Sequence, residues 1–159
     1  MVRTKQKTPR DAAVSSATRS NGRAVRDADY QTLAQFRYQV RTYLAFSEVA
    51  VRRAGLTMQQ YQALLAIKGF AGRDAASIGD VADFLLIRPH TAVELMNRMA
   101  KLDLISRGAD PQDARRVLIR LTTKGEQKLR ALSRVHLEEL RAVSPALSRI
   151  LRVFRSQAR

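Results

Sequence analysis

From Asp29 onward the apolar residues of this chain recur mostly at helical spacing, interrupted between Leu104 and Leu121 by a run that alternates like a strand. Leu33, Phe36, Val40, Leu44 and Ser47 fall at i, i+3, i+7, i+11 and i+14, with Tyr43 and Phe46 widening the face. The pattern fades at Arg52-Arg53-Ala54-Gly55, where Gly55 can supply a left-handed helix end. Thr57 and Gln60 then have capping-box spacing and Leu56 can staple onto Tyr61, opening a short helix of Tyr61, Leu64, Leu65 and Ile67 that ends at Gly69. Ser77 and Asp80 form a second box for a helix over Ile78–Leu85. A turn at Leu86-Ile87-Arg88 leads to Pro89, tolerated at a first helical position because its missing N–H would be unpaired there. The helix it opens, Pro89–Leu102, turns Ala92, Leu95, Met96, Met99 and Leu102 inward.

Leu104–Arg107 and Arg116–Leu121 predict two strands, with Val117, Ile119 and Leu121 on one face. Their connection carries Gly, Asp and Pro and is longer than a tight hairpin turn. Thr123 and Glu126 make a third capping box for a helix with Leu129, Leu132, Val135, Leu137 and Leu140 inward. Ser144-Pro145 starts a last helix that buries Leu147, Ile150, Leu151 and Phe154.

Helix, turn, helix and basic hairpin in that order predict a winged helix-turn-helix, a DNA reader. The expected fold is mainly α with a small β wing, the reader at 56–126 flanked by dimerisation helices at 28–53 and 127–159. Those flanking stripes exceed what so small a core can cover, so a homodimer is expected; the alternative is a monomer whose terminal helices pack on each other. Residues 1–27 lack large apolar side chains and are expected to be a disordered basic tail, either a phosphate-binding arm or a solvated extension.

The 159 residues carry a formal net charge of +15. The tail contributes +5 of it, so the folded part is itself basic and its simplest partner is double-stranded DNA. Hydrophobic residues make up 45% of the chain and aromatics 6%, which predicts an aliphatic core. No apolar run is long enough for a membrane span and no signal segment is visible, so a cytoplasmic location with no membrane partner is expected. There is no Cys, hence no disulfide, thiolate metal site or thiol switch, and no cofactor is expected. Phosphate-loop, dinucleotide, zinc-protease and nucleophile-elbow motifs are absent, and the only His are His90 and His136, so an enzyme has little support.

The outward side chains of Pro89–Leu102 fit base and phosphate chemistry. Arg88 can address guanine in two-pronged fashion, His90 can donate to guanine N7, and the Thr91 methyl suits thymine. Glu94 can accept from cytosine or stand as a plain surface carboxylate. Arg98 and Lys101 suit phosphates, fixing register without reading sequence. Arg107 in the first strand joins this basic set. His136, on or near the buried side of its helix, is either a hydrogen-bonded structural histidine or a ligand or proton sensor.

The chain resembles the MarR family of winged-helix regulators over roughly 29–154. Four segments carry the likeness in order: Leu56-Thr57-Met58-Gln59-Gln60-Tyr61; Ser77-Ile78-Gly79-Asp80-Val81-Ala82; His90-Thr91-Ala92-Val93 through Asn97-Arg98 to Ile105-Ser106-Arg107; and Asp110-Pro111-Gln112-Asp113-Ala114-Arg115-Arg116 followed by Leu121-Thr122-Thr123-Lys124-Gly125. Three positions depart from the family's pattern. Ala114 stands where Arg is common, Asp103 replaces a helix-ending glycine, and His90 replaces Ser. The resemblance implies that Arg115 enters the minor groove, that Asp113 orients a wing arginine, and that Arg116 and Arg120 hold phosphates. It also implies a dimeric regulator, most often a repressor on a pseudo-palindromic operator, released by a small aromatic or phenolic effector. The residues near such a pocket are Phe36, Tyr43, Tyr61, Leu65 and His136. The competing reading is a weakly specific architectural DNA-binding protein without an inducer.

Overall fold

The computed structural model describes residues 24–70, 75–110 and 113–157. Most of the expected tail therefore lies outside the described residues. Helix α1 runs Asp27–Arg53 and ends in the left-handed turn that Gly55 allows, at φ +72°. The Leu56 N–H there donates to the Val51 carbonyl at 3.1 Å, the six-residue closure of a Schellman end. The Lys128 ammonium adds a bond to the Ala54 carbonyl at 2.6 Å. The Thr57–Gln60 box opens α2, Met58–Leu65, which widens into a π-helical turn, Ala66–Phe70.

A short strand β1, Ala76–Ser77, precedes α3, Ile78–Leu85; the sequence pattern did not announce it. Helix α4 is Pro89–Lys101, and the wing is β2, Ile105–Asp110, with β3, Asp113–Leu121. The antiparallel sheet has the order β1-β3-β2. Both wing strands are longer than expected: the regular register runs out to Ala109 opposite Val117, and a register break then brings Asp110 opposite Asp113.

The core is aliphatic. Leu64, Ile67, Val81, Met96, Met99, Leu104 and Ile119 are fully buried between α2, α3, α4 and the sheet, and Val51 and Leu132 extend that cluster to the long helices. Val117, expected inward, is exposed, because the wing runs out beyond the core at that point.

The last helix corrects the sequence reading. A single α5 spans Thr123–Gln157 with Pro145 inside it. Proline removes one helical hydrogen bond. The apolar phase Leu140, Val143, Leu147, Ile150, Phe154 nevertheless continues through it unbroken. Packing along α1 outweighs the local signal. The helix also starts from a cap at Thr122, not Thr123: the Gly125 N–H donates to the Thr122 hydroxyl at 3.1 Å.

Of the expected inward stripe on α1, only Ser47 is buried, while Leu33, Val40 and Leu44 are exposed. On α5, Leu129, Leu132 and Ile150 are buried, whereas Val135, Leu137, Leu140 and Leu151 are exposed. A single chain covers only part of these faces.

Candidate nucleic-acid interface

The helix-turn-helix is built from local chemistry. The Ser77 hydroxyl accepts from the Asp80 N–H at 3.2 Å, and the Asp80 carboxylate accepts from the Ser77 N–H at 2.8 Å. Leu86 turns the chain in the left-handed region, at φ +56°. Arg88 then caps α4 with extended backbone and no side-chain bond, and Pro89 takes a first-turn position. The positive end of α4 therefore presents first-turn N–H groups without a side-chain acceptor from its cap, an arrangement suited to anions.

Ala92, Leu95, Met96 and Met99 bury the inner face of α4. Arg88, His90, Glu94, Arg98 and Lys101 are exposed and Thr91 is half-buried, so the six residues proposed from sequence lie on the outer side of this helix and its cap.

In the wing, the Arg107 guanidinium donates to Asn97 Oδ1 at 2.7 Å, tying β2 to the outer face of α4. Arg120 is exposed, and its guanidinium lies near Gly108 on the neighbouring strand. The side chains of Asp113, Arg115 and Arg116 lie outside the described residues; their backbone belongs to β3.

A clasp fixes the junction between reader and wing. Asp103 adopts φ +56° at the end of α4, and the Leu104 N–H donates to the Met99 carbonyl at 3.0 Å. Thr122 donates through its hydroxyl to the Asp103 carbonyl at 2.7 Å and through its N–H to the Leu104 carbonyl at 3.2 Å. Lys124 donates to the Leu102 carbonyl at 2.8 Å. The start of α5 thus satisfies the carbonyls that α4 leaves open.

A second cluster joins the long helices to the reader. His136 is buried, with Nδ1 at 2.7 Å from the Leu132 carbonyl and Nε2 at 2.7 Å from the Ser47 hydroxyl. A carbonyl only accepts, so Nδ1 carries a proton, and Nε2 shares a hydrogen bond with the Ser47 hydroxyl, which also lies 4.0 Å from Met58 Sδ. Tyr61 stacks on the imidazole at 4.7 Å between centroids, and Tyr43 and Phe46 meet it edge-on. Burial pushes the Tyr61 phenol up to about 12, with Tyr43 adding to the shift. Burial, and then the charge of Glu139, raise the Tyr43 phenol.

Of the residues expected near a pocket, Tyr43, Tyr61 and His136 therefore meet. Phe36 lies apart, edge-on to Phe154 at 6.4 Å, and Leu65 packs against the main core. Beside the cluster an open groove of about 400 Å³ is lined by Phe46, Val49, Ala50, Arg53, Leu132 and Val135, among others.

Sequence reasoning did not single out Asn97, Lys124 or the pairing of Ser47 with His136. The signal for the last was present: a hydroxyl inside an apolar stripe, and one histidine on an opposing stripe. Among the described residues no group of three or more His, Cys, Asp or Glu is placed to hold a metal, and no helix is long and apolar enough to cross a membrane.

A MarR family model matches residues 54–116, the stretch from the end of α1 to the wing. No curated protein matches the sequence. Among solved structures, a Staphylococcus aureus MepR mutant bound to an oligodeoxyribonucleotide is 21% identical, with a TM-score of 0.61 over 82% of this chain and 98% of that one. AbsC, a MarR family transcriptional regulator from Streptomyces coelicolor, is 20% identical, with a TM-score of 0.60 over 84% and 99%. Bordetella bronchiseptica BpsR, whose DNA binding is regulated by 6-hydroxynicotinic acid, is 23% identical, with a TM-score of 0.56 over 77% and 89%. The likeness to MarR regulators drawn from the residues is met by that family model over residues 54–116, and the solved structures share the winged-helix fold.

Proposed function

We propose that this chain, a winged helix-turn-helix protein of the MarR type, is a homodimeric, sequence-specific transcriptional repressor that binds a pseudo-palindromic operator. The observation that carries the reading is the outer face of α4. It is exposed along its length and tied to the wing through the 2.7 Å bond between Arg107 and Asn97. Arg88, His90 and Thr91 stand where a recognition helix reads base edges, Glu94 borders them, and Arg98 and Lys101 hold phosphates. Arg115 enters the minor groove, Asp113 orients a wing arginine, and Arg107, Arg116 and Arg120 flank the backbone. The reader is 56–126, and the flanking helical segments, 28–53 and 127–159, make the dimer. The half-exposed Leu33, Val40, Leu44, Leu137, Leu140 and Leu151 support that role, being apolar surface that a second copy would cover.

Release follows when a small aromatic or phenolic acid enters the junction between the long helices and the reader. The groove beside Phe46 has apolar walls and Arg53 at its rim for a carboxylate, and Tyr43, Tyr61 and His136 lie next to it. A ligand seated there shifts α2 against the long helices and changes the spacing of the two readers.

The test is selection from random duplexes at about 150 mM salt, followed by footprinting. A protected palindrome with half-sites about one helical turn apart, lost on Thr91→Ala, supports the reading. Uniform coverage that falls steeply with salt for every sequence would establish a weakly specific architectural protein instead.

A further inference from the structure

The outward side of α5 is lined with arginine. Arg130, Arg134, Arg141, Arg149, Arg152 and Arg155 are all exposed. At about 100° per residue they fall within a single arc of about 120°, opposite Leu132, His136 and Ile150, which are buried. The stripe is about 38 Å long at 1.5 Å per residue. No Asp or Glu occurs anywhere from Leu140 to Arg159. Glu126 is held by Lys68 at 2.9 Å, Glu138 lies within the arc between Arg134 and Arg141, and no ion pair to any of the six arginines is present among the described residues.

We propose that this stripe is a second duplex-DNA surface, separate from the helix-turn-helix and wing, that binds the phosphate backbone without reading sequence. Six guanidinium groups with a single carboxylate, Glu138, among them on one helix face cost repulsion that a purely structural helix has no reason to bear. Guanidinium matches phosphate in two-pronged geometry, and the length of the stripe is close to a helical turn of duplex, about 34 Å. Ser144, Pro145 and Ser148, all exposed, lie on or beside the same arc between the distal arginines, so no large apolar side chain stands among them. A membrane-surface helix needs an apolar face free to enter lipid, whereas here Leu132, His136 and Ile150 opposite the stripe are buried and the exposed Leu137, Leu140 and Leu151 are the surface assigned to a second copy. Arg141 to Arg155 lie about 27 to 48 Å along α5 from its start at the reader junction. The DNA they meet is therefore either a second duplex or a bent continuation of the first.

The experiment uses the full chain and a variant with Arg141→Gln, Arg149→Gln, Arg152→Gln and Arg155→Gln, titrated with salt on a 40-base-pair duplex of random sequence. Loss of four phosphate contacts lowers the slope of log affinity against log salt by about 3 to 4 and weakens binding more than tenfold at low salt. Lysine at the same four positions restores most of the slope. Capture of a labelled 20-base-pair duplex by a tethered one then shows a second duplex. A slope gained only on longer DNA shows wrapping, and both results support the surface. A Thr91→Ala, Arg98→Ala variant run in parallel reports the reader separately, so failure there leaves the slope comparison intact. An unchanged slope overturns the proposal. So does a glutamine variant that changes the oligomeric mass, or one that loses binding to polyglutamate or anionic vesicles while holding DNA as before.

Discussion

Gly125, in the first turn of α5, lies against the Leu104 carbonyl so closely that a Cβ at this position would overlap its oxygen. Leu104 is the residue at which α4 hands over to the wing, and its carbonyl also accepts the Thr122 N–H at 3.2 Å. The contact is backbone on backbone, so no flexible side chain can give way. Gly125→Ala is therefore expected to destabilise the protein by about 1–3 kcal/mol, as overpacking does. That exceeds the helix-propensity gain of about 1 kcal/mol that alanine brings. A lowered urea midpoint checks this, and an alanine variant as stable as the parent would remove the close approach as the reason for glycine.

Asp103 holds the opposite lesson. It takes φ +56° at the end of α4, the place Gly55 takes at φ +72° after α1, with the same six-residue closure behind it. A Cβ in that region costs on the order of 1 kcal/mol, somewhat less for Asp than for bulkier residues. Asp103→Gly should raise stability by about 0.5–1 kcal/mol. The result is read from urea midpoints at constant slope; a loss of stability would mean that the carboxylate contributes more than the strain it brings.

These two positions show what was legible in the sequence. Ser77 with Asp80, Thr57 with Gln60, Pro89 and Gly55 act within a few residues of themselves, so spacing alone placed them. Thr122 and Thr123 are chemically identical, and the cap is decided by the Asp103 carbonyl, 19 residues away. Pro145 carries a strong local stop signal that packing along α1 overrides. The reader's outer face could be inferred because α4 is amphipathic about a buried core. The partnership of Asn97 with Arg107 could not, because it joins elements that only the folded chain brings together, and for Ser47 with His136 the stripes offered both groups but not their register.

Tyr61 makes the stability of the fold depend on alkaline pH. Its phenol is pushed up to about 12 in the folded chain, against about 10 when unfolded. Between those values the folded state binds more protons than the unfolded state, so stability falls as pH rises. The contribution is fully present below pH about 10 and is lost as pH rises through about 12. Urea midpoints at pH 9, 10 and 11 should decline in the parent and decline less in Tyr61→Phe, with Tyr43 retained in both. Equal declines would place the effect elsewhere.

Ser47→Ala leaves Nε2 of the buried His136 ring without its 2.7 Å hydrogen-bond partner. An unsatisfied buried polar atom costs about 1–3 kcal/mol. Replacing both partners, Ser47→Ala with His136→Phe, removes the polar atoms together, so the double variant should be less destabilised than the two single changes combined. A double-mutant cycle in urea measures this, and strict additivity would show that the pair is not coupled.

Arg107 and Asn97 provide the sharpest check on how the reader and wing act together. Their 2.7 Å bond is the described side-chain tie between β2 and the outer face of α4. Neither side chain is buried, so the bond adds little to stability. Its proposed effect is to hold the wing at a fixed angle to the recognition helix. Asn97→Ala removes the tie without removing a charge, and is expected to weaken binding to the selected operator several-fold. It should leave the salt slope, the urea midpoint and the dimer mass unchanged. Arg107→Ala removes the tie together with a cation proposed to face phosphate, so it should cost more and lower the slope by about 1. The two changes should be less than additive, because the second has no bond left to break. Full additivity would mean that Asn97 contacts DNA directly, and the fixed-angle account of the wing would then fail.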